Sequence, residues 1–277
     1  MFYAGAAALA ARYEHLGLTQ LLPTDRVWVG VRSNIEDAFG GFHHPDQGYR
    51  HLQMGAIITR YGPLDGSTPS PLAALDLLRA YAHDCLHYGS YRRYSIHVGQ
   101  VVRTHYGINV RSVDGTTYSP PDPAGATTTR NLGVLMEGAT DREARALTRS
   151  AAAHADIIGA EHGPDWYGFG DVTGRLTTAD TAALGDPAHR AAITSSGEVD
   201  GYLRRLGSYQ TGVNARYETF LAELGGGERE ALHEEILRAM ISGSMGGLCA
   251  WLDQRHGPGT FARLFRSPAY LGPEPGC

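Results

Sequence analysis

With 277 residues, 42% hydrophobic and 19% charged side chains, the chain has the balance of a globular protein able to bury a sizeable core, as one large domain or two small ones. No run of about 18 apolar residues is present, which excludes a membrane-spanning helix, and a net charge of −5 without a basic cluster argues against nucleic acid as a partner. All 24 basic residues are arginine, a sign of a GC-rich coding genome that also removes lysine Schiff-base and general-base chemistry.

The opening stretch Met1–Arg12 is apolar like a signal peptide but has no basic start, and Arg12 to His15 continue a helical pattern. An amphipathic helix over 4–20 and cytoplasmic residence are therefore expected. A short strand at Val27–Val31 follows, then a Gly-, His- and Asp-rich loop from Asn34 to Tyr49, then a strand at Met54–Tyr61 closed by Gly62-Pro63. Ser70 before Pro71 is a helix start, and the apolar set Leu72, Leu75, Leu77, Leu78, Tyr81, Ala82 and Leu86 carries that helix to about Tyr88 or Tyr91.

Val101, Val102, Ile108, Val110 and Val113, with the turn pair Asp114-Gly115, predict two or three antiparallel strands over 98–118. Residues 119–129 form a Pro-rich loop suited to a cleft rim. A second long helix runs from about Asn131 to Ile158, and 160–197 is Gly- and Asp-rich with little periodicity. Helices over about 198–223, 228–241, 243–256 and 259–265 complete the chain. The pattern is an α+β, mainly helical single domain over 1–277, with an α/β part to about 125 and a helical part from 126. The 71–90 helix is expected to pack on the 131–158 helix beside a small antiparallel β region.

Cys85, Cys249 and Cys277 show no C-x-x-C spacing, so neither a disulfide framework nor Cys-ligated zinc is expected. Cys85 and Cys249 read as small core residues and Cys277 as an inert terminus.

The chemistry concentrates in His83-Asp84-Cys85-Leu86-His87. Positions i and i+4 share a helix face, so His83 and His87 can grip one metal ion, while Asp84 is rotated about 100° from His83. The layout is that of H-E-x-x-H, with Asp in place of Glu. Thirteen His in 277 residues yield about 0.6 such pairs by chance, so the pair alone does not make a site. Glu137 and Asp141 add to it. They share a face of the second helix, and Glu137 stands among Leu132, Val134, Leu135 and Met136, apolar company in which a carboxylate has a specific partner. Glu137 would be the third ligand of an open zinc site, and Asp141 would accept the free N–H of a ligating His. The competing readings are two hydrogen-bonded core imidazoles and a solvated acidic face built from Asp141, Arg142, Glu143 and Arg145.

His83-Asp84-x-x-His87, the Leu-Met-Glu137-Gly-Ala-Thr-Asp141 segment and the later Gly243-Ser-Met-Gly-Gly-Leu-Cys-Ala-Trp251-Leu252 segment together resemble the gluzincin metallopeptidases, over about residues 70–158 and 230–266. The resemblance implies a zincin-like fold and one Zn²⁺ on His83, His87 and Glu137. It also implies Asp84 as general base and a peptide or small amide-containing substrate. Glu137 follows His87 by 50 residues, long for the family and compatible with an inserted hairpin. The departure is Asp84, one methylene shorter than Glu, which suggests altered chemistry on the same scaffold or a slower hydrolase.

Tyr209 and Tyr217 are the candidates for stabilising a developing oxyanion, with Tyr202, Arg216, His105 and Tyr106 behind them. His162 reads as a loop residue and the His43-His44 pair as surface. An HD-type phosphohydrolase would use His83-Asp84, His51 and Asp141 or Asp156. That fold is wholly helical, which the 98–118 hairpin opposes, and it leaves His87 and Glu137 without roles. A closed structural zinc site would be richer in Cys. Nothing in the sequence fixes the substrate or the oligomeric state.

Overall fold

The computed structural model describes residues 2–18, 20–30, 40–44, 49–53 and 71–276. The described chain is mainly helical, with a small open antiparallel sheet, and divides into two compact units. The first comprises Met1–Arg12, Gln20–Tyr88 and Asp141–Gly212; the second comprises Tyr13–Thr19, Gly89–Thr140 and Val213–Cys277.

In the first unit, helix α1 (Phe2–His15) leads to strands β1 (Val27–Gly30), β2 (Gly40–His44) and β3 (Tyr49–Gln53). They form a sheet ordered β1-β3-β2, with β1 parallel and β2 antiparallel to β3. The strand expected at Val27–Val31 is present. The expected loop from Asn34 to Tyr49 contains β2 and the first residue of β3, because strand pairing overrides the local turn-forming composition. His43 and His44 thus lie on a strand. The strand expected at Met54–Tyr61 and the cap at Ser70 lie outside the described residues.

Helix α2 (Pro71–Gly89) and helix α3 (Leu132–His154) are the two long helices expected from the sequence, and they pack together. Leu75 of α2 meets Ala152 of α3 in a cluster completed by Phe169 and Val172, with Leu72, Ala151 and Ile157 against it. Asn131 starts α3, its Oδ1 accepting from the backbone N–H of Gly133 and Val134 at 2.8 and 3.1 Å.

Residues 160–197, which show no period, fold into α4 (Pro164–Val172), α5 (Thr178–Gly185) and α6 (Pro187–Ile193). Each is too short to show an apolar stripe and is set by local signals. Pro164 opens α4, a Thr177/Asp180 capping box opens α5, and Asp186 caps α6. Tyr167 and Phe169 are core residues, Tyr167 packing with Leu184, Tyr202, Leu203 and Leu206. Helix α7 (Gly197–Tyr209) passes directly into a π-helical turn at Gln210–Asn214.

The second unit contains sheet strands β4 (Arg92–His97), β5 (Gln100–Tyr106) and β6 (Asn109–Val110), all antiparallel in the order β4-β5-β6. The β4–β5 turn is Val98-Gly99, both with positive φ (48° and 74°), as a two-residue hairpin requires. Asp114-Gly115 also reverses the chain and closes an isolated bridge between Arg111 and Thr117. Helices α8 (Ala215–Gly225), α9 (Arg229–Ser242), α10 (Gly246–His256) and α11 (Thr260–Phe265) follow the expected order. At the end of α9, Gly243 has φ 71°, and a Cβ there would fall 2.3 Å from the Tyr91 ring, so only glycine fits. Cys85 is a buried free thiol, as expected. Cys249 is buried in α10, as expected of a small core residue.

Candidate metal centre

Helix α2 is buried on most of its circumference, with Ala73, Leu75, Leu78, Ala82, Cys85 and Leu86 inaccessible. Set into this apolar surface is one polar stripe, Asp76, Arg79, His83 and His87, at helical spacings of three and four. A second stripe runs along α3 through Glu137, Asp141, Arg145 and Thr148. Buried polar side chains require partners, and the two stripes supply them to each other.

The ligand atoms of His83, His87 and Glu137 all lie within 4.8 Å of one another. His83 Nε2 and His87 Nε2 face each other at 3.0 Å, their rings inclined at 63°. Two imidazole nitrogens on one tetrahedral zinc stand about 3.3 Å apart, the edge set by Zn–N bonds of about 2.05 Å. The donor set and its spacing therefore fit a divalent metal. The His83 side chain is 23% accessible, while His87 is buried.

Asp141, one helical turn beyond Glu137, is fully buried and stands behind His83, with Oδ1 3.6 Å from His83 Nδ1. Arg79 donates to the same oxygen at 2.7 Å, and Arg145 Nε lies 2.8 Å from the other. Burial alone would raise the Asp141 carboxyl, but Arg145, Arg79 and His83 together outweigh it and hold the group well below the usual carboxylate range. It is a buried anion whose Oδ1 faces His83 Nδ1.

The network extends further. Arg145 donates to Asp171 Oδ1 at 2.5 Å, Arg79 Nη1 approaches Asp171 Oδ2 at 3.7 Å, and Gln210, the first residue of the π-turn, donates to Asp171 Oδ1 at 3.1 Å. Asp76 closes the lower end, its carboxyl raised to about 7, chiefly by burial. Arg79, Arg145, Asp171 and Gln210 were not foreseen from the sequence. Arg79 and Arg145 carried a usable signal, each four residues from a site residue on the same face. Asp171 and Gln210 carried none.

The remaining candidates fall in several places. Asp84 is buried in α2 beside His83, with 2% of its surface accessible. Tyr209 is half-buried at the end of α7, within electrostatic reach of Arg79. Tyr217 is buried against Gly138, where a Cβ would fall 2.4 Å from Tyr217 Cβ, so the residue after Glu137 must be glycine. Its hydroxyl bonds His233 Nδ1 at 2.7 Å, a buried partner that the sequence did not flag. Arg216 is committed to Asp122 at 3.3 Å, and Tyr202 is core. His105 and Tyr106 belong to β5; burial and Arg93 depress the His105 pKa. His162 is exposed, as expected of a loop residue, and Asp156 ends a turn with φ 49°. His51 lies on β3.

Protein-family models, curated proteins and solved structures yield no match to this chain. The geometry is what identifies the centre: His83-Asp84-x-x-His87 with the downstream Glu137 forms a mononuclear metal-binding triad that matches the gluzincin arrangement.

Proposed function

We propose that the protein is a zinc-dependent hydrolase of gluzincin type, acting on a peptide or a small amide-containing substrate. The observation that carries this reading is the convergence of His83, His87 and Glu137 with Asp141 behind His83. Zinc held by these residues would acidify a water molecule and polarise a carbonyl. Asp84 is assigned as general base: a carboxylate oxygen takes the proton of the attacking water and hands it to the departing nitrogen. Asp141 keeps His83 in one tautomer. Tyr209 and Tyr217 are assigned to donate hydrogen bonds to the developing oxyanion, and His233 orients Tyr217. Each compact unit draws on three separated stretches of chain, so neither can be excised whole, and we place residues 1–277 in one zincin-like domain.

Metal content by elemental analysis, on wild type beside His83→Ala and His87→Ala, tests the centre. One equivalent of zinc in wild type and background levels in both variants are expected; undiminished zinc in the double variant would remove the site. Asp84→Asn should keep the metal and lose turnover of a generic fluorogenic peptide by about 10²–10⁴. The shorter Asp84 favours a second reading, small-molecule tailoring on the same scaffold, and Asp84→Glu separates the two. The longer side chain should raise peptide hydrolysis on the first reading and crowd the water on the second.

A further inference from the structure

The sheet β4–β6 carries a feature for which the metal centre has no use. From Tyr91 to Val113 the chain has four arginines and no Asp or Glu, in a protein of net charge −5. Strand pairing gathers residues dispersed along the sequence: Arg93 pairs with His105, Tyr94 with Arg103, and the Arg111 N–H donates to Thr104 O at 3.0 Å. Arg93, Arg103 and Arg111 form no ion pair among the described residues. Arg103 lies over the Tyr106 ring at 4.4 Å, and its buried Nη1 has no hydrogen-bond partner. Burial, and then the neighbouring Arg103, depress the Arg111 pKa, the mark of a cation held without a counter-charge.

A cavity of about 570 Å³ opens against Arg93 and Arg111, within the range of small-molecule sites. Ser95 and Thr104, whose hydroxyls meet at 3.4 Å, and Ser112, whose hydroxyl is held by Asp114, complete its wall. The facing wall is the C-terminal segment around Tyr270, and it is built rather than draped. Tyr270 is buried, stacks edge-on against Tyr118 at 5.1 Å and donates to Pro273 O at 3.0 Å. A Cβ on Gly272 would fall 2.6 Å from the Tyr270 ring, so only glycine permits this fold-back. Asp114, the one carboxylate on the rim, is already engaged by Ser112 Oγ and the Thr116 N–H.

We propose that this cavity binds a small phosphate monoester with a compact apolar body, its phosphate on Arg93 and Arg111 and its body against Tyr270. A phosphate offers three terminal oxygens and nearly two negative charges, which two guanidinium groups match better than they match a carboxylate. The site is independent of the metal reading, and the two fail separately.

Titration calorimetry of the full chain with phenyl phosphate, after chelation so that no metal contributes, tests it. One saturable site is expected, binding phenyl phosphate more tightly than inorganic phosphate or benzoate and weakening as salt is raised. Arg93→Gln and Arg111→Gln should each weaken binding by about tenfold or more. Arg93 is exposed, so its replacement leaves the fold intact. Arg111→Gln should also raise the thermal midpoint of the ligand-free protein by removing a repelled cation, a gain that misfolding cannot mimic. Absence of saturable heat, unchanged affinity in both variants, or benzoate binding as well as phenyl phosphate would overturn the proposal. So would a short oligonucleotide that binds more tightly and competes.

Discussion

Replacing Asp76 by Asn should change how stability depends on pH, by an amount the structure supplies. Asp76 is only 5% accessible on α2. Burial is the largest influence on its carboxyl, Arg79 opposes it, and Asp171 and Asp141 reinforce it, leaving a pKa of about 7 against the ordinary 3.8. A folded-state pKa above the unfolded one means that the proton favours folding. The full contribution is present below about pH 4 and is lost as pH rises through 7. The gap between 3.8 and about 7, at about 1.4 kcal/mol per pH unit, corresponds to about 4 kcal/mol. Asn cannot ionise, so urea unfolding of the two proteins from pH 4.5 to 9 should show curves that start close together and diverge. Above pH 8 the variant should be the more stable by a few kcal/mol. Parallel profiles across that range would refute the reasoning, since they would mean that Asp76 is ionised throughout or exchanges its proton equally in both states.

Three further outcomes follow from buried contacts around the candidate site. Asp141→Asn breaks contacts to two arginines and to His83, and should cost about 3–5 kcal/mol in urea unfolding and weaken zinc binding by about 10–100-fold, read by competition with a chromogenic chelator. Tyr217→Phe leaves His233 Nδ1 without its 2.7 Å partner and should cost about 1–3 kcal/mol, while zinc content stays at the wild-type level. Gly138→Ala should be far more damaging than an ordinary helical glycine replacement, which by propensity alone gains about 1 kcal/mol, because the new methyl meets Tyr217; circular dichroism melting reads the sign directly.

The sequence exposed the parts of the site that repeat at helical spacing. His83 and His87, and Glu137 and Asp141, were legible because four-residue spacing on a long amphipathic helix leaves few alternatives for where a side chain points. The two helices themselves were legible for the same reason. What could not be read was pairing between distant stretches. Asp171 joins the network from a nine-residue helix in a stretch with little periodicity, and Gln210 reaches it from the first residue of a π-turn that no local sequence signal announces. The strand β3 was missed because its five residues gain their pairing from β1 and β2 rather than from their own composition.

Helix α3 runs unbroken from Leu132 to His154, so Glu137 and Asp141 are fixed to each other by about 6 Å of helical rise. Asp141 is anchored by arginines on either side, and the stiffness of the helix passes that anchorage on to Glu137. Metal coordination therefore has little chain to organise. In small zinc modules the ion and the fold arrive together, and a chelator dissolves both. Here the buried ion pairs of Asp141 with Arg79 and Arg145 hold the helices without calling on the ion. Stripping the metal should leave an intact, reloadable protein with a nearly unchanged melting profile, and the ion becomes an exchangeable tool rather than a keystone.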